Sequence, residues 1–286
     1  MSLWLVLAVN SVTLGGLLFL LSAGFSLIFG LMRIPNLTHG SFFMLGAYLA
    51  ASLIQAGLDF WTAALLSGLL VAAFGGMIER LLLRRLAGAE LAQVLVTLGL
   101  SFMVADVCLK VWTGDPIRIA TPAALSGTAS VLGMTFPAYR LAISVIAVAF
   151  AVALWALLDR TRLGAMIRAG VDDPAMARVA GIRVSRLFTL VFCLGAWLAG
   201  FAGVIGGPIL SVYPGLDQEM LPLALVVVIL GGSGSLLGSL VGSLIVGFLY
   251  NFGQAMFPEL AYVVLFLPML LVLVIRPQGL FGRQPA

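Results

Sequence analysis

Runs of about 20 consecutive apolar residues recur along this chain, and each is long enough to cross the hydrocarbon core of a bilayer as an α-helix. A transmembrane β-barrel would instead show short segments of alternating hydrophobicity. Of the 286 residues, 62% are hydrophobic and only 9% are charged, whereas a typical soluble domain carries about 25% charged residues. The sequence therefore predicts an all-α polytopic integral membrane protein.

The apolar runs predict a single transmembrane domain, residues 1–286, with about 8–10 transmembrane or re-entrant helices. Because the first basic residue is Arg33, the first run is expected to be a retained span and not a cleaved signal peptide. Two short apolar segments, 219–230 and 236–250, flank the stretch GGSGS and can form either two thin spans or a re-entrant pair. The long predicted spans are 4–31, 38–56, 60–78, 91–112, 137–158, 187–207 and 260–275.

The basic residues predict the orientation of the chain, because Lys and Arg accumulate in cytoplasmic loops. With the N-terminus outside and the C-terminus in the cytoplasm, only Lys110, Arg118 and Arg140 fall outside. Residues 113–136 then form a long external loop, and residues 159–186 form a long cytoplasmic loop. Since the arginines lie in loops between spans, the net charge of +4 does not indicate a nucleic-acid partner. The basic residues predicted inside are Arg33, Arg80, Arg84, Arg85, Arg160, Arg162, Arg168, Arg178, Arg183, Arg186, Arg276 and Arg283.

The chain lacks the residues that an enzyme or a self-powered pump requires. It contains no G-x-x-x-x-G-K-[ST] phosphate-binding stretch, a single histidine, and no Cys/His cluster with metal-ligand spacing. Cys108 and Cys193 lie in apolar runs and are predicted to be small buried hydrophobes. Asp106 is the clear acidic candidate at membrane depth, with either an ion pair to Lys110 or a coupling role. The sequence thus predicts a conduit that is passive or is powered by a partner.

The cytoplasmic loop contains the signature of a short capped helix. Asp172 or Asp173 can act as the N-cap, Pro174 suits the first helical position, and Gly181 offers a C-terminal stop. Such a helix can dock into a partner's groove. The alternative is a solvated loop that only satisfies the charge bias.

Glycines fall into two patterns. Gly195, Gly200 and Gly203 recur at helical spacing, which predicts close packing between helices. The cluster of Gly231, Gly232 and Gly234 instead predicts backbone that leaves the helix, and such backbone at membrane depth must be buried in protein or line a wet cavity. Residues 39–50 and 231–244 both begin with glycine and small polar residues and continue as an apolar helix, so an internal repeat is one possibility. Broken helices near the midplane are therefore expected.

Several stretches together resemble the permease subunits of branched-chain amino acid ABC importers, in the LivH-like branch of the type II-like permease superfamily. They occur in the family's order over nearly the whole chain. Many relatives have Phe and Ala where this chain has Leu37 and Thr38, a departure that leaves the substrate open. The stretches are IPNLTHGSFFMLGAYLA, ERLLLRRL, LVTLGLS, WTGDP, GAMIRAGVDDPAMARVAGIRVSRLFTLVFCLGAWLAGFAGVI, VVVILGGSGSLLGSLVG and RPQGLFG.

The resemblance implies a subunit that imports branched-chain or related small amino acids and works with several partners in the bacterial inner membrane. These are a second, LivM-like permease, two cytoplasmic ATPases that hold ATP and Mg²⁺, and an external binding protein. No cofactor and no enzymatic activity are expected in this chain. The coupling residues implied are Asp172, Asp173, Pro174, Arg178 and Gly181, and the translocation-path residues predicted are Asn36, His39, Gly40, Ser41, Gly231, Gly232, Ser233 and Gly234.

Two alternatives of other classes remain at this level. One is an ion-coupled secondary carrier or a passive channel for urea or small amides. The other is a membrane scaffold that transports nothing. For His39, the sequence allows a position beside the path or a packing role at a helix break, where Pro35 is expected to end the first helix.

Overall fold

The structure, a computed structural model, describes residues 2–32, 36–131 and 133–282. Arg33, Pro35 and Arg283, which entered the predicted orientation and the predicted end of the first helix, lie outside these residues. The described helices and strands are α1 (Ser2–Met32), α2 (His39–Gln55), α3 (Phe60–Leu81), α4 (Glu90–Trp112), β1 (Thr128–Val131), β2 (Met134–Pro137), α5 (Ala138–Arg160), α6 (Arg162–Asp172), α7 (Pro174–Val179), α8 (Val184–Leu210), α9 (Leu216–Gly231), α10 (Leu236–Met256) and α11 (Ala261–Ile275).

The predicted spans are confirmed as helices, and seven helical segments of the described chain are long and apolar enough to cross a membrane. Local chemistry sets their starts. Asp59 caps α3, since its Oδ2 accepts the backbone N–H of Trp61 at 2.9 Å and of Thr62 at 3.2 Å. Hydrogen bonds from the Thr62 side chain and backbone hold the pKa of the Asp59 carboxyl below its ordinary value. This cap therefore stabilises α3 at neutral pH, and the stabilisation is lost only under strongly acidic conditions.

Helix α8 runs antiparallel to α1 and α3, whereas α5 runs parallel to α1, so the bundle has two distinct ends. Helix α3 packs along α8 with Gly68 beside Trp197 and Gly76 beside Cys193, and α1 packs along α8 in the same antiparallel sense. We call the end where α1, α3 and α5 finish the basic end, because it carries Arg80, Arg84, Arg85, Arg160 and the arginines of α6 and α7. The opposite end carries Lys110, Arg118 and Arg140.

Two helices, α2 and α9, begin inside the bundle. The His39 Nε2–H of α2 donates to the carbonyl oxygen of Leu21 at 3.0 Å, 11 residues or about 16 Å before the end of α1. Helix α9 begins beside α2, where the Ser41 hydroxyl donates to Asp217 Oδ2 at 3.0 Å. These are the predicted broken helices near the midplane.

The short pair of segments is now resolved. Residues 211–215 return from the opposite end, α9 continues to the basic end, and α10 crosses the whole bundle. The pair therefore makes two crossings, and the re-entrant hairpin is excluded. Seven described helical segments are long enough to cross the bundle, and α2 and α9, which begin inside it, bring the number of membrane helices to nine, within the predicted range.

The helix contacts reveal an inverted repeat. Helix α1 packs on α10 and α8 packs on α3, while α2 lies against α3 and α9 lies against α10. Exchanging α1–α3 with α8–α10 leaves this pattern unchanged, and the two sets run in opposite directions. The possible pairing of residues 39–50 with 231–244 was wrong, because the repeat relates α2 to α9 and not to α10.

Close helix crossings use the predicted packing glycines. A Cβ on Gly46 of α2 would clash with the Gly200 carbonyl oxygen, and one on Gly203 would clash with the Phe43 carbonyl oxygen. A Cβ on Gly24 of α1 would lie 2.6 Å from the carbonyl oxygen of Gly195 in α8. The small residues of α8 thus let α1 and α2 approach backbone to backbone.

The predicted external loop folds over the opposite end. Strands β1 and β2 form an antiparallel hairpin within it, which was not predicted from the sequence. Ile117 pairs with Val212 through two backbone hydrogen bonds of 2.8 Å, and the buried Ile119 lies against Gly207. These contacts fix the segment that leads into α9.

Candidate translocation and coupling regions

The turn before α2 is held by side chains that the sequence identified. Asn36 Oδ1 accepts the backbone N–H of Thr38 at 3.1 Å. The Thr38 hydroxyl donates to the Thr97 carbonyl oxygen of α4 at 2.9 Å, and the backbone N–H of Leu37 donates to Thr97 Oγ1 at 3.3 Å. The hydroxyl at which this chain departs from many relatives therefore anchors the α2 start to α4.

Removing that hydroxyl is expected to loosen the anchor. Thr38→Val removes the hydroxyl hydrogen bond to the Thr97 carbonyl oxygen and should lower the free energy of unfolding by about 1 kcal/mol. Thr38→Ser retains the donor and serves as the control. Thermal unfolding of the purified protein in detergent measures the difference, and equal stability of the two variants would contradict the anchoring role.

His39 lies among aromatic rings in the interior of the chain. Its ring centroid is 5.1 Å from that of Phe25 and 6.3 Å from that of Phe42, and the residue is fully buried. Nδ1 has no hydrogen-bond partner among the described residues. In this conformation His39 packs at the start of α2 and is not open to solvent.

The first turns of α2 and α9 meet closely. A Cβ on Gly40 would lie 2.7 Å from the Asp217 carbonyl oxygen, so a side chain there would push α9 away. Ser41 holds one oxygen of the Asp217 carboxylate, while Oδ1 has no partner among the described residues. A side-chain hydrogen bond and a close backbone approach therefore join the first turns of α2 and α9.

The glycine cluster lies elsewhere. The Gly234 backbone N–H donates to Ser26 Oγ at 3.0 Å, and a Cβ on Gly30 would lie 2.6 Å from Gly234 Cα. Gly232 has a φ of +100° and packs against Gly282 after α11. This turn is therefore at the basic end, with Gly231 and Gly232 buried and Ser233 and Gly234 exposed.

The structure thus separates the predicted path residues into two groups. The α2–α9 junction contains Asn36, His39, Gly40 and Ser41. The glycine cluster lies at the basic end, between α9 and α10. Leu21 and Gly30 mark the two levels on α1, which are about 13 Å apart. A path role for either group stays a prediction.

The predicted coupling helix forms as α7. Asp173, and not Asp172, is its N-cap, because Asp173 Oδ1 accepts the backbone N–H groups of Ala175 at 2.8 Å and Met176 at 3.0 Å. Pro174 occupies the first helical turn, and Gly181 follows the helix with a φ of +84°. The solvated-loop alternative is therefore excluded, while the coupling role itself stays a prediction.

Helix α7 presents apolar side chains outward. Ala177 is 3% exposed and faces the bundle, whereas Met176 is 64% and Val179 83% exposed. Arg178 lies between them and is also exposed. This combination of apolar and basic groups at the basic end suits contact with another protein.

Helix α6 supports α7 and was not predicted from the sequence. Thr161 caps it by accepting the Gly164 backbone N–H at 3.1 Å, and Arg168 pairs with Asp159 at 3.1 Å. Its buried side joins a cluster formed by Leu27, Ile167, Leu187 and Val191. The threonine cap before an amphipathic stretch was a sequence signal that could have revealed it.

An ion pair between the exposed Arg84 and the buried Glu79 lies beneath the start of α8. Arg84 Nη2 is 3.2 Å from Glu79 Oε2 and donates to the Ser185 carbonyl oxygen at 3.0 Å. The Thr189 hydroxyl also donates to Glu79 Oε2, at 2.7 Å. This network links the end of α3 to the first turns of α8, and sequence spacing alone could not have paired these residues.

The acidic groups at membrane depth differ from the expectation. Asp106 and Lys110 are both exposed on α4, and they form no ion pair within 4 Å in the described chain. Asp106 lies only about 9 Å from the end of its helix. Asp217 and Glu219, in the first turn of α9, lie deeper; the sequence had placed Glu219 at the start of an apolar segment.

The comparisons with known proteins agree with this architecture. The family model for the branched-chain amino acid transport system permease component matches residues 7–273. No solved structure matches the chain.

Curated relatives cover most of the chain. The high-affinity branched-chain amino acid transport system permease protein BraD of Pseudomonas aeruginosa is 30% identical over 96% of this chain and 94% of its own length. The corresponding permease protein LivH of Escherichia coli strain K12 is 28% identical over the same shares. The ribose import permease protein RbsC of Haemophilus influenzae is 29% identical over 76% of this chain and 68% of its own length. Because the family match extends from α1 into α11, the chain belongs to the family of branched-chain amino acid transport system permease components.

Proposed function

We propose that this chain is the permease subunit of an ATP-driven ABC importer in the bacterial inner membrane and that its cargo is a branched-chain or related small amino acid. The observation that carries the proposal is the family match across residues 7–273. The amino acid permeases BraD and LivH align with 96% of this chain, against 76% for the ribose permease. This difference in coverage favours an amino acid over a sugar.

The path is proposed to run beside this chain, against a second permease subunit. Helix α2 occupies the centre of the chain, where Phe42, Phe43, Met44 and Tyr48 are fully buried. Such close packing leaves no room for a solute of amino acid size. Helices α4, α5 and α11 bury little of their surface within the chain, so they supply the area for lipid and for the second, LivM-like permease.

Energy is proposed to enter through α7. Two cytoplasmic ATPases, which would hold ATP and Mg²⁺, dock on Met176, Arg178 and Val179. Asp173, with Pro174 and Gly181, fixes the helix, and Asp172 joins it to α6. An external binding protein delivers the solute at the opposite end, over the β1–β2 hairpin.

Reconstitution tests the proposal. Proteoliposomes that contain this chain, the second permease and the ATPases are expected to accumulate leucine only under two conditions. ATP must be supplied inside, on the side of the ATPases, and the binding protein must be present outside. Omitting any one of these components is the control. Uptake by this chain alone, driven by a proton or sodium gradient, would show an ion-coupled carrier instead. Uptake of urea or short amides without ATP would show a passive channel.

A further inference from the structure

Glu219 lies at the depth of the hydrocarbon core. It follows Asp217 by two residues, and the hydrogen bond from Ser41 places Asp217 beside the first turn of α2. That turn is level with Leu21, which is about 6 Å from the midpoint of α1 along its axis. Since the core of a bilayer is about 30 Å thick, the first turn of α9 is well inside it.

The two acidic residues of this turn face different ways. Asp217 is 5% exposed and points into the chain, whereas Gln218 and Glu219 are exposed on its outer surface. An ionisable group at this depth is costly to expose to lipid. In membrane proteins such a group therefore faces water or other protein groups. The outer face of the α9 start is therefore not a lipid-facing surface.

Other polar groups gather around Glu219. Tyr213 lies near the Glu219 carboxylate, and Tyr250 of α10 lies near Tyr213. We call Tyr213, Gln218, Glu219 and Tyr250 the α9 acidic patch.

An exposed face at the same depth on α5 has a different character. Ala147 of α5 is level with Gly16 of α1, so Val152, five residues further along a parallel helix, is level with Leu21. Val145, Val148 and Val152 are all more than half exposed. An apolar face of this kind suits lipid, and it provides a matched reference for the acidic patch.

We propose that the α9 acidic patch lines the translocation path and that Glu219 contacts the ammonium group of the passing amino acid. The inference rests on the proposed function, since it needs a path outside this chain and a cationic group on the solute. A carboxylate with neighbouring phenol and amide groups is suited to a primary ammonium, which donates three hydrogen bonds. No predicted path residue belongs to this patch.

Thiol accessibility tests where the patch faces. Glu219→Cys and Val152→Cys are compared in the assembled transporter in proteoliposomes, against the unchanged chain with its natural Cys108 and Cys193. A membrane-impermeant, positively charged methanethiosulfonate is added on both sides. We expect Glu219→Cys to react rapidly and Val152→Cys to react no faster than the unchanged chain. If both variants stay unreactive, an arginine or other group of the second permease covers the patch, and the path assignment is overturned.

Transport tests the ammonium contact. Glu219→Gln should reduce ATP-driven leucine uptake about tenfold, the effect of losing one charge-assisted hydrogen bond, while the ATPases still co-purify. Glu219→Asp should restore part of the uptake, and Glu259→Gln, an exposed carboxylate at the opposite end, should have no effect. Normal leucine uptake by Glu219→Gln overturns this inference and leaves the proposed function intact. If the unchanged chain transports no amino acid, the proposed function and the ammonium contact both fail.

Discussion

Replacing Met176 and Val179 by glutamate is expected to abolish docking of the ATPases while leaving the membrane bundle intact. Both side chains point away from the bundle, at 64% and 83% exposure, so the substitution removes no internal contact. In a docked complex they would be buried, and each anchor of this kind contributes about 2 kcal/mol. Affinity for the ATPases should therefore fall by about two to three orders of magnitude.

Co-purification from detergent and surface plasmon resonance measure this loss. The matched control replaces the same two residues by leucine, which keeps an apolar surface and should keep docking. Asp173→Ala removes the N-cap of α7 and should weaken docking less, because the helix frays but retains its side chains. If the double glutamate variant binds the ATPases normally, α7 is not the docking helix.

Gly203→Ala is expected to destabilise the bundle severely, although it adds only one methyl group. The new Cβ would clash with the Phe43 carbonyl oxygen, and backbone cannot move aside as the end of a flexible side chain can. Separating α2 from α8 costs packing along the whole crossing, so we expect a loss of about 3 kcal/mol or more. The apparent melting temperature in detergent should fall by roughly 5–10 °C.

Gly99→Ala is the control for this experiment. Gly99 lies in α4, and a Cβ there meets no atom within 4 Å in the described chain. Since alanine favours a helix over glycine by about 1 kcal/mol, this variant should be as stable as the parent or slightly more so. Equal behaviour of Gly203→Ala and Gly99→Ala would mean that the α2–α8 crossing is looser than the structure has it.

Features that depend on neighbours in sequence were predictable. Runs of apolar residues located the helices to within a few residues. The Asp–Pro pair predicted the start of α7, although the choice between Asp172 and Asp173 needed the structure. Gly195, Gly200 and Gly203 were predicted as packing residues from their spacing alone, since a helix places such residues on one surface.

Features that depend on depth were not predictable. An apolar run has the same appearance whether it begins at the membrane surface or inside the bundle. Glu219 was therefore predicted at the edge of a span. Residues 211–215 instead return into the bundle, so Glu219 lies at the depth of the hydrocarbon core. The Glu79–Thr189 contact joins residues 110 positions apart, and sequence spacing carries no information about such pairs. The thiol and uptake measurements on Glu219 test the part of the site that could not be predicted from the sequence.

The last described residues have a consequence for biosynthesis. The backbone N–H of Leu280 donates to the Leu230 carbonyl oxygen at 2.9 Å, and that of Phe281 donates to Gly231 at 3.0 Å. These carbonyls end α9 and have no partner within the helix. Because residues 280 and 281 are synthesised about 50 residues after the end of α9, its final turn lacks these donors until they have left the ribosome. The end of α9 at the basic end therefore reaches its final form only after residues 280 and 281 have been synthesised.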